Sequence, residues 1–254
     1  MSGNGPALLL LHAFPLTSAM WASQIEALCD KANVLAPDLP GFGASGKARM
    51  PEALDGLAEQ IYEGSRERGI DRAVVAGCSM GGYLAFAMLR VAPKFVRGLA
   101  LINTKATADP EPARAKRLAQ IRRVEGEGCA FLVDEWPPGH LSPTTLTHNA
   151  QTLAHVRAMI QEATPQGVIA AQRAMAQRAD SSALLATISV PCIVVHGLDD
   201  PIIPAAEAQS MTAAINRARF VGIRAAGHLP SVEQPPLVSD ALRDLLARAD
   251  QPQN

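Results

Sequence analysis

Three short stretches of this 254-residue chain carry residue types that can do chemistry together. The first is Gly77-Cys78-Ser79-Met80-Gly81-Gly82, which spells G-x-S-x-G between an apolar run at 73–76 and a helical pattern that begins near Met80. A serine at the tip of such a strand-to-helix turn holds a strained backbone, and the flanking glycines remove side chains that would collide across it. The following helix points its positive end at the hydroxyl, and the Met80 N–H is free to hold an oxyanion. By its letters alone, the run also reads as a glycine-rich turn that only joins two elements. A serine hydroxyl is a weak nucleophile at neutral pH, so the chemical reading requires a base oriented by an acid.

The second stretch, Gly227-His228-Leu229-Pro230, places a histidine in a loop with no packing role visible in the pattern. The other five histidines are poorer candidates. His12 and His196 end strands, and His140, His148 and His155 fall in a helical stretch; His148 and His155 are seven apart but lack a third partner for a metal site. The third stretch, Gly197-Leu198-Asp199-Asp200, leaves a buried strand and offers two carboxylates, either of which would also suit a helix cap before Pro204. The remaining oxyanion donor is expected from a loop after an early strand. In His12-Ala13-Phe14-Pro15 the Phe14 N–H is the candidate, with its ring lining an acyl pocket, although a buried aromatic under a turn fits the same letters.

Positioning these groups falls to an alternation of elements. Solid apolar runs at 7–11, 34–36, 73–76, 99–102 and 192–195, with a weaker one at 220–223, predict strands buried on both faces, as in a parallel sheet. Helical periodicity at 18–29, 52–67, 80–91, 205–215 and 236–249 lies between them, which predicts an α/β domain. From about 104 to 186 the rhythm breaks into helices at 114–124, 146–162 and 166–178 around a loop with Trp136, Pro137, Pro138 and Gly139. This predicts a helical insertion in a core of residues 1–103 and 187–254. The tail 251–254 reads as frayed.

Composition narrows the class. Hydrophobic residues at 48% and charged residues at 19% supply a sizeable core, and 23 Lys+Arg against 24 Asp+Glu give no basic footprint for nucleic acid. Aromatics at 4% argue against a base-stacking surface. The apolar run at 7–11 is too short to span a bilayer and lacks the basic flank of a signal peptide. Four scattered cysteines without CxxC spacing read as reduced thiols, so a cytoplasmic protein without membrane association is expected. Gly41-Phe42-Gly43-Ala44-Ser45-Gly46 matches the dinucleotide fingerprint G-x-G-x-x-G, but no helix starts directly behind it, and no cofactor is expected there.

Taken together, the segments 8–15, 38–45, 77–82, 197–204 and 227–235 resemble the α/β-hydrolases. They are especially similar to the small esterase and lactonase group that includes haloperoxidase-like perhydrolases, 3-oxoadipate enol-lactonase and the pimeloyl-carrier methyl esterase. The order Ser79, acid, His228 is the order of that superfamily. The resemblance implies Asp200 as the acid, His228 as the base, and the insertion as a cap over the site; within it, the Pro-flanked loop leaves Trp136 less committed to a helix core and makes it the expected substrate contact. It also implies an ester, lactone or thioester as substrate, cleaved through an acyl-enzyme without metal or cofactor. Two departures stand out. Ala13 replaces the usual glycine, and only about six residues precede the first strand, so a sheet of about six strands with an edge that favours a homodimer is expected. Alternatives are a lyase of the menaquinone-synthase type, which would want an Arg-lined cap pocket, and a hydrolase of C–C bonds.

Overall fold

A computed structural model describes residues 5–251, so the tail expected to fray lies outside it apart from Gln251. One sheet holds β1 (Ala7–Leu11), β2 (Asn33–Leu35), β3 (Ala73–Cys78), β4 (Val96–Ile102), β5 (Cys192–Gly197) and β6 (Arg219–Ile223). Their order is β2-β1-β3-β4-β5-β6, with every neighbouring pair parallel. All six residues of β3 are buried, as a central strand covered on both faces requires. β6 is weaker in sequence because it is an edge: Arg219 and Gly222 are exposed.

Twelve α-helices flank the sheet among the described residues: α1 (Ala22–Leu28), α2 (Leu54–Glu67), α3 (Met80–Val91), α4 (Glu111–Glu127), α5 (Leu132–Glu135), α6 (Pro143–His148), α7 (Ala150–Gln161), α8 (Pro165–Ala176), α9 (Ser182–Leu185), α10 (Ala205–Ala214), α11 (Pro230–Glu233) and α12 (Pro235–Ala249). α3 is buried without a break from Met80 to Met88, which is why its sequence is apolar all round. Among the described residues no helix is long and apolar enough to cross a membrane.

Two expected helices divide. The pattern at 146–162 becomes α6 and α7, because Asn149 leaves the helical region and its side chain accepts the Thr152 N–H as a cap. The pattern at 18–29 opens as a 3-10 turn at Ser18–Trp21, where the Thr17 side chain accepts the Ala19 N–H. The Gly41–Gly46 stretch is a packing loop. Gly41 has φ 91°, and a Cβ there would lie 2.2 Å from Gly167 Cα, so its glycine lets this loop touch α8.

Between β4 and β5 the described residues form six helices, α4–α9, and no strand. A buried ion cluster ties the two ends of this segment together. Asp109 receives Arg117 at 2.5 Å and Arg178 at 2.8 Å, with Lys105 at 3.6 Å, and the Asp109 and Arg178 side chains are only 2% and 3% exposed. Burial pushes the Asp109 carboxyl up, but hydrogen bonds and charge from Arg178 and Arg117 outweigh it and hold the pKa at about 2. Asp109→Asn should therefore lower stability at neutral pH by about 3–5 kcal/mol, since it strands a buried guanidinium. A depressed folded-state pKa means stabilisation present above the ordinary carboxylate value and lost as pH falls through about 2. Denaturant melts of the two proteins from pH 7 downward should show a constant gap to about pH 4, narrowing below it; a gap independent of pH would contradict the ion-pair account.

Candidate active site

Because every strand runs the same way, the segments leaving β1, β3, β4, β5 and β6 gather at one edge of the sheet, where open α/β sheets place their ligands. Ser79 leaves β3 with φ 53° and ψ −111°. The turn is fixed around it. The Ser79 N–H donates to the Ile102 carbonyl at 2.9 Å, and its own carbonyl accepts from the Gly82 N–H and the Thr104 hydroxyl, both at 2.9 Å. A Cβ on Gly77 would lie 2.1 Å from the Gly81 carbonyl oxygen, and one on Gly81 would lie 2.1 Å from that of Leu11. The glycines of the motif are thus a steric requirement of the turn.

His228 Nε2 lies 2.8 Å from Ser79 Oγ, and its Nδ1 lies 2.9 Å from Asp200 Oδ2. Of the two aspartates offered by the sequence, Asp200 makes this contact; Asp199 is exposed and uses its backbone N–H on Ala226. Asp200 Oδ1 accepts the N–H groups of Ile202 at 2.8 Å and Ile203 at 3.3 Å. Burial raises its carboxyl, yet the charge and hydrogen bond of His228, with hydrogen bonds from Asn103 and Ile202, bring the pKa below the ordinary value.

Phe14 follows β1, and its N–H has no acceptor among the described residues. The loop is tied by His12, whose Nδ1 donates to the Ala13 carbonyl at 3.0 Å while Nε2 accepts the Leu39 N–H at 2.9 Å. Burial lowers the His12 pKa to about 4, keeping the ring neutral for that double duty. The Met80 N–H opens α3 and has no intrahelical partner. Phe14, Ser79, Trp136 and His228 line one cavity of about 200 Å³.

Several lining residues escaped the sequence. Tyr83 and Arg117, with Gln120 on α4 and Gln172 and Met175 on α8, close the cavity from the helical segment and α3. Arg117 donates to Gln172 Oε1 at 2.7 Å, and the two glutamines bond to each other. Leu132, Leu141 and Met159 are buried and Phe131 lies under Arg123, so all four pack rather than line the cavity. A larger hollow of about 670 Å³, lined by Arg49 and Arg173 on the other face of α8, contains none of the three relay residues.

Two buried polar groups brace the relay. Asn103, at the end of β4, donates to Asp200 Oδ2 at 2.8 Å and the Gly227 carbonyl at 3.1 Å, and accepts the Gly197 N–H at 3.0 Å. Glu233 accepts the N–H groups of Gly227 at 2.8 Å and Leu229 at 3.2 Å on one oxygen. Its other oxygen takes the Ser142 N–H and the Thr145 hydroxyl, both at 2.8 Å. Glu233→Ala should cost about 3–5 kcal/mol, because it leaves several buried donors without an acceptor. A thermal melt should fall by roughly 10 °C; an unchanged melt would mean that water replaces the carboxylate.

This fold and this edge define the class. The chain belongs to the α/β hydrolase fold family, which matches residues 6–235. Within it, the chain is similar to a thermophilic esterase from Thermogutta terrifontis solved with malate bound, at 37% identity and TM-score 0.94 over 98% of this chain and 92% of that one. It is also similar to the enol-lactonase from Burkholderia xenovorans, at 26% identity and TM-score 0.87 over 96% and 92% of the two chains. The pimeloyl-[acyl-carrier protein] methyl ester esterase of Nitrosomonas europaea is 29% identical over 246 residues, covering 92% of this chain and 93% of that protein.

Proposed function

We propose that the protein is a serine hydrolase that cleaves a small carboxylic ester, lactone or thioester through an acyl-enzyme on Ser79. The observation that carries it is the unbroken relay Asp200–His228–Ser79, with contacts of 2.9 and 2.8 Å, on the wall of a cavity of about 200 Å³. Ser79 Oγ attacks the carbonyl carbon as His228 takes its proton. Asp200 holds the Nδ1–H tautomer and stabilises the imidazolium. The Phe14 and Met80 N–H groups receive the oxyanion, His228 protonates the leaving group, and water completes the cycle.

The helices α4–α9 act as a cap, with Trp136 and Arg117 meeting the substrate. The cavity volume suits a short ester, and the esterase and lactonase names among similar proteins support the same substrate class. For a lyase, the Arg-lined pocket reduces to Arg117, whose guanidinium already serves Asp109, Gln172 and Met175. A fluorophosphonate probe should label Ser79 and stop hydrolysis of p-nitrophenyl acetate. An active enzyme that the probe leaves unlabelled would overturn the acyl-enzyme proposal in favour of proton-abstraction chemistry.

A further inference from the structure

His140 belongs to the cap segment and touches the base. Its ring lines the cavity, lies flat on Trp136 with centroids 3.5 Å apart, and meets His228 edge-on at 5.7 Å. Its carbonyl accepts the His228 N–H at 2.7 Å, so backbone and ring both register on the same residue. His140 Nδ1 lies 2.6 Å from the Trp136 carbonyl. A carbonyl only accepts, so Nδ1 carries the proton and Nε2 is left as a bare acceptor. Burial, then the neighbouring His228, draw its pKa down to about 3, which keeps the ring neutral at working pH. No protein group among the described residues donates to Nε2.

Water that attacks an acyl-enzyme gives one proton to the base and keeps a second O–H, which needs an acceptor of its own. On the acyl-enzyme reading of Ser79, we infer that His140 Nε2 accepts that second O–H and positions the hydrolytic water between the two imidazoles. The water oxygen bonds to the acyl carbon as one proton passes to His228 Nε2. The acyl bond to Ser79 Oγ then breaks, His228 returns the proton to that oxygen, and the carboxylic acid departs with the other hydrogen. His140 takes no proton, so it is a positioning residue. The competing acceptors are largely occupied: Arg117 takes Gln172 Oε1 and the Met175 sulfur, and Gln172 takes Gln120 Oε1. The Tyr83 hydroxyl has no partner among the described residues and shares the cavity, with its ring under Arg178, so Tyr83→Phe is the control for the role given to His140.

Methanol separates this role from a structural one, because it has a single O–H, which goes to the base. With p-nitrophenyl acetate, His140→Phe keeps an aromatic ring on Trp136 and should lower kcat about tenfold while kcat/KM, set by acylation, stays within about twofold. In aqueous methanol the ratio of methyl acetate to acetate should rise about tenfold, and His140→Gln, whose Oε1 reaches toward the place of Nε2, should recover most of both changes. A loss of kcat and kcat/KM together with an unmoved methanol ratio overturns the inference. So does a ratio that moves in Tyr83→Phe and not in His140→Phe. Failure to find acetyl-Ser79 by mass spectrometry in the wild-type protein is a different outcome, which removes the acyl-enzyme and this inference with it.

Discussion

Ser79→Ala is expected to fold as the parent does and to lose about 10³- to 10⁶-fold in the hydrolysis of p-nitrophenyl acetate. The side chain makes one hydrogen bond, to His228 at 2.8 Å, while the strained backbone is held by Ile102, Gly82 and Thr104 through main-chain groups the substitution leaves in place. Alanine therefore inherits the turn without the nucleophile. Matching melting curves beside lost turnover and lost fluorophosphonate labelling would assign the chemistry to the hydroxyl. Activity within tenfold of the parent would remove Ser79 from the mechanism.

Asp200→Asn should cost about 10³–10⁴-fold in kcat. Each oxygen of Asp200 is met by donors: His228 Nδ1 and the Asn103 amide on one side, the Ile202 and Ile203 N–H groups on the other. An asparagine amide must turn a donor toward one of those pairs. Turned toward His228, it favours the tautomer protonated on Nε2, which cannot take a proton from Ser79. Asp199→Asn, one position earlier and exposed, should keep its rate within about twofold, because its contact is a backbone one. Equal losses in both variants would contradict the assignment. Steady-state rates across pH 5–9 for the three proteins decide it.

The relay was legible because each of its members leaves a strand of a parallel sheet beside a glycine, and such a sheet delivers all its exits to one edge. The sequence could not separate Asp199 from Asp200, since both follow the same strand; the choice lay in the turn that brings the Ile202 and Ile203 N–H groups back onto Asp200. Asn103 carried an unread signal: a polar residue directly after the solid apolar run of β4 must arrive at the same edge. The cavity wall was not legible. Arg117 and Gln172 are 55 residues apart, and helical periodicity marks their elements without telling an inward polar face from a solvated one. His140 was passed over because its place depends on a short 3-10 turn that stacks it on Trp136. Glu233 carries no mark in the sequence, because its value comes from donors in two distant stretches, 142–145 and 227–229.

Those donors join the helical segment to the loop that carries His228. Through Glu233, and through the His140 carbonyl on the His228 N–H, residues 140–145 and the loop at 227–229 are sewn into a single seam. Residues 140–145 could not leave that seam without drawing the His228 imidazole away from the Ser79 hydroxyl.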